Sequence, residues 1–528
     1  MQIGSTFKVV KMATPLDKKI SALAEKYTPL AREILAECIR IPADYVDKSP
    51  AEGGDPRCGL SNHEYPRIKY MMDMIIKHGA VEKPEDVCFD GFGNLSWVVE
   101  DKEDSTPRDK KKVVYFDGHT DTVNALRPAW REKIGGIDCY DGLIDPKHID
   151  RKFLESQLGY LPPDSEFNHC IFGRGSADQL AGVVGEIIAS KIMLELKAEG
   201  ALRGVIVRCY GTVAEEDNDG GGPMYVVRKE LPGAGADKIP DCVIHTEGTG
   251  CSELGALGIY RGQRGRMQIE VDVIGKSCHG SMPWMGVNPL EFGSNIIKEA
   301  RERYEKGIGF KDDPFLGKGT RVASDARLAT PSDCAVPERF TFRFDRRLTA
   351  GESPKEAVAD VESFESVKAA RAAGCTVTVS VPRYTDPSWK GTPPDNDQIY
   401  MSWVTPEDHP VIKAAVESYK RVITPVIPAS HKETKEAIKR EPRVARWIFS
   451  TDGVGYPIPV SDTSIAVTPA KKWVTTGEYK HPAMFGFGAG YEQNTHKIGE
   501  WVDEREIQHA IALYSRFPSL FAEIDPPQ

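Results

Sequence analysis

The stretch that most constrains this chain is Cys209–Gly222, CYGTVAEEDNDGGG, in which an apolar segment runs directly into a crowd of acidic residues. The lead-in, Gly204–Val213, reads GVIVRCYGTV, and such a short apolar run predicts a buried strand. Carboxylates held this close together repel one another and raise one another's pKa. A fold that keeps this stretch must therefore supply positive charge where the strand ends.

Length, net charge and cysteine content restrict the number of domains, the partners and the location of the protein. The chain has 528 residues, which predicts two or more domains, and its formal net charge of -10 argues against nucleic acid or an anionic membrane as a partner. Its 11 cysteines include no CxxC pair, which suits a reducing compartment, and no apolar run is long enough for a secretory signal or a membrane helix. A cytoplasmic location is the expectation.

The order of elements indicates an open α/β sheet. A short apolar strand, Val113–Phe116, precedes a Gly-rich turn and an apolar helix near Leu180–Lys197, and two further strands follow at Gly204–Val213 and DCVIHTEG. Sites in such sheets form at the carboxyl ends of the strands. Helical spacing also predicts helices at Ile20–Ile41, Glu64–Gly79 and, at the end of the chain, Val502–Ile524.

The pattern changes in the middle of the chain. RGRMQIEVDVIG and ERFTFRFDRRL alternate apolar and polar residues, as strands do when one face is exposed, and they flank a helix near Pro289–Lys306. We therefore predict an inserted α+β domain at 259–384, with 1–258 and 385–528 forming the first domain. Two other segments are predicted as irregular: Asn124–His169 as excursion loops and Ser430–Arg446 as a solvated helical loop.

Several possible metal ligands follow apolar strands or turns. Each has an ordinary structural explanation when taken alone; Asp178, for example, could simply cap a helix. Together they suit Zn²⁺, Mn²⁺ or Co²⁺, and two ions sharing a bridging carboxylate would neutralise the crowded acids. The candidates are His119, Asp121, Asp178, Glu215, Glu216, Glu247 and His496.

Five motifs occur in an order that resembles metallopeptidase family twenty, the family of acetylornithine deacetylase, succinyl-diaminopimelate desuccinylase and the glutamate carboxypeptidases. They are GHTDT, GRGSADQLAG, GTVAEED, TEG and EQNTHKIGEWV. YRGQRGRM, SCHGSMP, FLGKGT, FDRRLTAGES and FSTDGV look most like its YgeY branch. The resemblance implies a di-metal exopeptidase-type α/β domain, with a mixed central sheet flanked by helices, and an inserted α+β sandwich that serves as lid and dimerisation domain.

The resemblance also implies roles at the metal site. Asp178 would bridge two divalent ions, zinc in the first instance with cobalt or manganese as alternatives. His119 and Glu247 would complete one ligand set, and Glu216 and His496 the other. It further implies a cis peptide between Asp178 and Gln179. Two catalytic roles follow as well: Glu215 as general base and Asp121 as the group that orients the imidazole of His119.

The inserted domain would supply two more residues. His279, in KSCHGSMP, matches the family's lid histidine, which reaches across a homodimer to stabilise an oxyanion; the alternative is a turn histidine beside Gly280. Arg347 matches an arginine that holds a substrate carboxylate, and the alternative is an ion pair with Asp345 or Glu352. Cys334 stands where many relatives have asparagine, which puts the usual recognition of an amino-acid carboxylate in doubt.

These observations predict a hydrolase that cleaves a C–N bond of an N-acylated or N-carbamoylated amino compound through a metal-activated water. A dipeptidase or carboxypeptidase-like activity and an aminohydrolase that releases ammonia remain alternatives within the family. A non-catalytic metal-binding protein is the alternative outside it, but such a protein would be expected to lose Glu215 or a ligand, and this chain keeps both.

Overall fold

The computed structural model describes residues 13–43, 64–133, 138–142, 146–162, 164–251, 257–427 and 440–527. The α-helices in these ranges are α1 Pro15–Arg40, α2 Tyr65–Lys77, α3 Arg127–Lys133, α4 Arg151–Leu158, α5 Asp164–Phe167, α6 Ala181–Glu195, α7 Glu215–Asn218, α8 Gly221–Tyr225, α9 Pro289–Glu305, α10 Pro354–Glu362, α11 Glu365–Ala372, α12 Pro410–Val422 and α13 Glu504–Ile524.

The strands in the same ranges are β1 Val87–Phe89, β2 Leu95–Glu100, β3 Lys112–His119, β4 Cys170–Phe172, β5 Val205–Thr212, β6 Cys242–His245, β7 Gly258–Gln263, β8 Gly265–Ile274, β9 Cys278–His279, β10 Asp312–Asp313, β11 Gly317–Lys318, β12 Thr320–Ala329, β13 Ala335–Val336, β14 Arg339–Leu348, β15 Thr376–Ser380, β16 Ile399–Tyr400, β17 Trp403–Val404, β18 Arg443–Trp447, β19 Ile458–Pro459, β20 Val474–Thr476, β21 Tyr479–His481, β22 Ala483–Gly486 and β23 Trp501–Asp503.

The larger sheet is mixed and, within the described ranges, runs in the order β1-β2-β5-β3-β6-β22-β7-β17, with β18 beside β7. Its centre is parallel: β3 lies between β5 and β6 and pairs in parallel with both. Every residue of β3 is buried because alternate side chains enter different cores. Val114 and Phe116 join the core beneath α1, α6, α12 and α13, whereas Val113 and Tyr115 join the core on the opposite face.

The smaller sheet is antiparallel and covered on one face only. Its order is β12-β14-β8-β15, with β16 also paired to β8. Met267, Ile269, Val271 and Val273 of β8 are buried against α9, α10 and α11, whereas Glu270 and Asp272 between them are half exposed. This alternation is the one that the sequence predicts.

The predicted fold class, a mixed sheet with flanking helices plus a second α+β layer, is confirmed. The five long helices predicted from spacing correspond to α1, α2, α6, α9 and α13. The domain limits 1–258, 259–384 and 385–528 stay a prediction, and Ile399–Tyr400, beyond the second limit, still pairs with β8.

The prediction of excursion loops for Asn124–His169 is wrong. The described part of this segment contains α3, α4 and α5, and Trp130, Leu154 and Phe167 share a small buried cluster with β4 and β23 residues. Asp150 caps α4 by accepting the N–H groups of Lys152 and Phe153. The polar residues that suggested a loop therefore include helix caps.

The prediction of a solvated helical loop for Ser430–Arg446 falls mainly on residues 430–439, which lie outside the described residues. Its last part is wrong, because Arg443–Trp447 forms β18 and pairs in parallel with β7. Trp447 is fully buried there, and burial of this ring in the core beside β7 favours a strand.

Candidate metal centre

The centre forms at one edge of the parallel part of the larger sheet. His119 is the last residue of β3, opposite Thr212 at the end of β5, and β6 ends two residues before Glu247. Because β5, β3 and β6 run in parallel, their carboxyl ends meet at the same edge, and Glu215 and Glu216 follow β5 there. The topology thus brings four of the predicted residues together.

Asp178 reaches this edge from the turn before α6. The N–H groups of Ala177 and Asp178 donate to Oε1 of Glu500, at 2.9 and 3.1 Å, and Arg174 donates to Oε2 of the same carboxylate at 2.6 Å. Glu500 and Arg174 are both buried. The peptide between Asp178 and Gln179 is cis, as the resemblance implies.

The predicted ligands form two groups that share Asp178. In the first group, Nε2 of His119 lies 3.0 Å from Oδ1 of Asp178 and 3.4 Å from Oε2 of Glu247. In the second, Nε2 of His496 lies 3.1 Å from Oδ2 of Asp178 and 3.2 Å from Oε2 of Glu216. The two oxygens of one carboxylate therefore face two different histidines.

The tautomer of His119 suits a cation between this imidazole and the carboxylates. Nδ1 of His119 lies 3.0 Å from the carbonyl oxygen of Asp121, which can only accept, so Nδ1 carries the proton. Nε2 then turns a lone pair towards the carboxylates of Asp178 and Glu247, and only a second proton or a metal ion makes that contact favourable.

The donor set and its spacing fit divalent metal ions. Ligand atoms at about 2.0–2.1 Å around a tetrahedral zinc ion lie about 3.3 Å from one another. The four nitrogen-to-oxygen distances here run from 3.0 to 3.4 Å, and within each group all ligand atoms lie within 4.8 Å of one another. Imidazole and carboxylate together suit Zn²⁺, Co²⁺ or Mn²⁺.

Burial and neighbouring negative charges raise the pKa of Glu247 and Glu215 in this centre. Burial raises the pKa of Glu247 to about 7, and the charge of Asp178 adds to the effect. Burial likewise raises the pKa of Glu215 well above its usual range, with the charge of Glu216 adding to it and His119 opposing it. Around His496 burial lowers the pKa, but Asp178 and Glu216 outweigh it and raise the value to about 11. The centre thus lacks positive charge.

Asp121 holds the acidic segment in place. Its carboxylate accepts the N–H of Glu215 at 3.2 Å and that of Glu216 at 3.1 Å, at the start of α7, and its Oδ1 is 3.5 Å from Nδ1 of His119. Glu215 and Glu216 do not continue β5, because both open this short helix. They still diverge: Glu216 approaches His496, and Oε2 of Glu215 lies 3.8 Å from Nε2 of His119.

A polar cavity of about 370 Å³ opens onto the two groups. Glu215 and Arg347 line it together with Arg266, Phe449 and Ser450. Nε and Nη2 of Arg347 donate to Asp345, at 2.8 and 3.2 Å, while Nη1 donates to Ser450. The ion pair with Asp345, one of the two alternatives for Arg347, is therefore present beside the cavity.

Comparison with known proteins identifies the family of this chain. The model of the M20 peptidase dimerisation domain matches residues 261–371. The uncharacterized protein YgeY of Escherichia coli K12 is 30% identical over 407 residues, 77% of this chain and 80% of YgeY. The chain belongs to the M20 metallopeptidase family. It is accordingly a metal-dependent hydrolase of amide bonds.

Other M20 relatives extend the comparison. A succinyl-diaminopimelate desuccinylase from Cupriavidus necator is 26% identical over 255 residues, 48% of this chain and 56% of the relative. The structure of the dipeptidase Dug1p from Saccharomyces cerevisiae matches with a TM-score of 0.60 at 12% identity, over 97% of this chain and 99% of that one. At this identity the structural match shows the shared M20 fold alone.

His279 is the predicted M20 site residue that the described chain does not bring to the centre. It lies on β9, which pairs with β13 in the lid, and Oγ of Ser281 lies 2.7 Å from its Nδ1. The side chain is exposed, and the lining of the metal cavity does not include it.

Among the helices of the described residues, none has the length and apolar character of a membrane span.

Three residues that sequence reasoning missed support this M20 centre. Glu500 fixes the turn that carries Asp178, Gln179 donates to Oε2 of Glu247 at 3.0 Å, and Asp219 accepts from Ser450 at 2.6 Å and from Arg266. All three stand in stretches quoted above: Glu500 in EQNTHKIGEWV, Gln179 in GRGSADQLAG and Asp219 in CYGTVAEEDNDGGG. The sequence gives no signal for their partners, which are remote along the chain.

A larger cavity of about 500 Å³ lies elsewhere, between α8 and residues 383–396. Its lining contains one carboxylate, that of Asp395, and no histidine. It lacks the ligands for a divalent ion, so size alone does not identify the reaction site of this M20 enzyme.

Proposed function

We propose that the chain uses two divalent ions, zinc in the first instance, to hydrolyse the amide of an N-acylated or N-carbamoylated amino compound. One ion would be held by His119, Asp178 and Glu247, and the other by Asp178, Glu216 and His496. The observation that carries this proposal is the shared carboxylate of Asp178, whose two oxygens face two separate histidines. When bound, such ions act as Lewis acids that polarise the amide carbonyl and lower the pKa of water.

Glu215 is the general base of the proposed reaction. It lines the cavity, and it is not a member of either candidate ligand group. Its carboxylate takes a proton from the attacking water and delivers it to the leaving nitrogen, which makes the amine a viable leaving group. Asp121 fixes the start of α7 and so holds Glu215 at its position beside His119.

Arg347 orients the substrate from the cavity wall. Asp345 engages Nε and Nη2, so Nη1, which now donates to Ser450 at 3.1 Å, is the group that can turn to a substrate oxygen. A bidentate grip on a substrate carboxylate would require Asp345 to be displaced. Arg347 is thus proposed as a positioning contact.

The remaining element is a homodimer that completes the site. His279 would donate to the developing oxyanion in the site of the partner subunit, which agrees with its distance from the centre within one chain. Exposed apolar side chains next to it, Met282, Trp284 and Met285, support an interface at this face, and Trp284 is 76% exposed. The match of 261–371 to a peptidase dimerisation domain supports the same arrangement.

The test is release of amine and ammonia by metal-loaded protein from N-acyl amino acids, dipeptides and ureido compounds. Glu215→Gln is expected to lower turnover by about 10²–10⁴-fold while metal content stays near that of the wild type. Near-normal turnover in that variant would refute Glu215 as the base. Release of an amino acid from dipeptides alone would identify a peptidase, and release of ammonia an aminohydrolase.

His279→Ala serves as the second arm. It is expected to lower turnover without loss of metal, because the residue contacts neither ligand group. Loss of metal from that variant would show that His279 is misassigned.

A further inference from the structure

Two arginines, Arg264 and Arg446, lie close together beside Gly317. Nη2 of Arg264 and Nη2 of Arg446 both approach the open side of Gly317, at 2.9 and 3.5 Å from the point where a side-chain β-carbon would stand. Among the described residues, neither guanidinium has a carboxylate within 4.0 Å. Two like charges therefore lie close together with no carboxylate in ion-pair contact in the described part of the chain, and Asp312 and Glu492 act on them only from farther away.

The backbone fixes both side chains at this place. Arg264 stands between β7 and β8, and its Nε donates to the carbonyl oxygen of Leu316 at 2.9 Å, while its two terminal nitrogens have no hydrogen-bond partner among the described residues. Arg446 lies on β18, which pairs with β7, and its buried Nε has no hydrogen-bond partner among the described residues. Gly317 has φ 76° and carries no side chain that could fill the gap.

Two neighbouring arginines, unlike Arg264 and Arg446, each have an ion-paired carboxylate. Arg266 pairs with Asp219, and Arg347 pairs with Asp345 at 2.8 Å. By contrast, the pKa of Arg264 is lowered, first by burial and then by the charge of Arg446, with Arg347 adding to the effect. The charge of Asp312 opposes this shift without outweighing it.

The position relative to the metal centre suggests what the pair binds. After Trp447, the chain that carries Arg446 continues into Phe449 and Ser450, which line the metal cavity. Arg347, whose charge acts on Arg264, lines the same cavity. Neither arginine lines the cavity itself, so the pair lies beyond its wall, towards Arg347 and the segment that leads to Ser450.

We propose that Arg264 and Arg446 form an oxyanion subsite for a negatively charged end of the substrate, remote from the amide that is cleaved. This deepens the proposed function and rests on it for the place of the amide. Planar guanidinium groups match the oxygens of a carboxylate, phosphate or sulfate, and two arginines around one gap favour such a group. The substrate class is then an N-acyl or N-carbamoyl compound with a carboxylate or phosphate at its far end.

The first experiment uses inorganic sulfate, a tetrahedral oxyanion, titrated calorimetrically into the metal-loaded full chain. Arg446→Gln and Arg264→Gln are each expected to raise the Kd for sulfate about tenfold or more, because a charge-assisted contact is lost. Arg208→Gln is the matched control: Arg208 is also half buried, and no ion pair is found for it among the described residues, but it lies on β5 beside Tyr115 and Tyr210. Its Kd should equal that of the wild type.

Glu215→Gln separates this inference from the proposed function. Unchanged sulfate affinity in a variant that has lost hydrolysis supports a subsite that is independent of the base. If wild-type protein binds sulfate at the pair but hydrolyses no amide, the proposed function fails and the subsite stands.

The second experiment compares two amide substrates that differ only at the far end, one with a carboxylate and one with the neutral carboxamide. Arg446→Gln is expected to reduce the preference in kcat/KM for the carboxylate by about tenfold, and Arg446→Lys to recover part of it. Sulfate affinity that is the same in the wild type, Arg264→Gln and Arg446→Gln would overturn the proposal, and so would the absence of sulfate binding to the wild type.

Discussion

Charged side chains are paired differently in the metal centre and in the lid sheet, which is the smaller sheet of β12, β14, β8 and β15. On the lid, each of three β14 arginines has a carboxylate of its own: Arg339 pairs with Asp272 at 2.6 Å, Arg343 with Glu270 at 2.8 Å and Arg346 with Glu352 at 2.6 Å. At the metal centre, carboxylates face one another and two histidines. The lid neutralises its charge internally, whereas the centre is built to be neutralised by something that binds.

The difference teaches that an unbalanced charge is more informative than a charged cluster. The lid strands carry as many ionisable groups as the centre, but every pair named above is satisfied, so nothing remains to attract a ligand. In the centre, burial makes the imbalance costly, and metal ions are the natural compensation.

The strongest test removes the shared ligand. Asp178→Ala is expected to abolish binding of both ions and to lower turnover by about four orders of magnitude or more, since several kcal/mol of Lewis-acid activation is lost. Metal analysis and turnover check this together. Asp272→Ala in the lid is the matched carboxylate deletion and should leave both unchanged; retention of one full ion by Asp178→Ala would refute the bridge.

A second test breaks one buried ion pair in each region. Glu500→Gln leaves Arg174 buried without its partner, and Glu352→Gln does the same to Arg346, so each should lower the free energy of unfolding by about 3–5 kcal/mol. Urea unfolding measures both. Only Glu500→Gln should also weaken metal binding, because only Glu500 holds the turn of Asp178; equal metal affinity in the two variants would contradict that role.

A third test titrates the apoprotein. The pKa of Glu247 is raised to about 7, so between pH 4.5 and 7 the folded chain holds a proton that the unfolded chain releases. The contribution of this proton to the free energy of unfolding is complete below pH 4.5 and is lost as pH rises through 7. Between these values the free energy of unfolding falls by about 1.4 kcal/mol per pH unit. His496, also raised, acts in the same direction, but its side chain is 58% exposed and solvent screens it.

Urea unfolding of chelator-treated protein between pH 5 and 7 checks the slope. Metal-loaded protein should show the opposite trend, because protons compete with metal ions for the same ligands. Apoprotein stability that rises with pH across this range would contradict the prediction.

The smallest effect belongs to the lid surface. Asp272→Asn removes the partner of Arg339, whose side chain is 53% exposed, and should lower the free energy of unfolding by less than about 1 kcal/mol. Thermal unfolding and turnover measure it. A loss as large as that of Glu352→Gln would show that exposure does not separate these pairs.

Much of the fold was predictable from local pattern. The helices α1, α9 and α13 follow from apolar spacing, and the strands of the lid follow from alternation, because burial of one face imposes a period on the sequence. The helix α6 follows instead from a continuous apolar run, since it is buried on all sides. The prediction of loops for Asn124–His169 failed for a related reason. Pro, Gly and Asp are common both in loops and at the ends of short helices, and a four-residue helix such as α5 is too short to show a period.

The sequence by itself determined which side chains end the parallel strands and hence the identity of four candidate site residues: His119, Glu215, Glu216 and Glu247 follow apolar runs, whatever those runs pair with. Only the tertiary structure decided how charges are matched. It placed Glu500 against the turn of Asp178, paired Asp345 with Arg347 and began α7 at Glu215. It also brought Arg264 and Arg446 together with no ion-paired carboxylate among the described residues. Electrostatic partners depend on distance in space, and residues far apart in sequence carry no local pattern that records it.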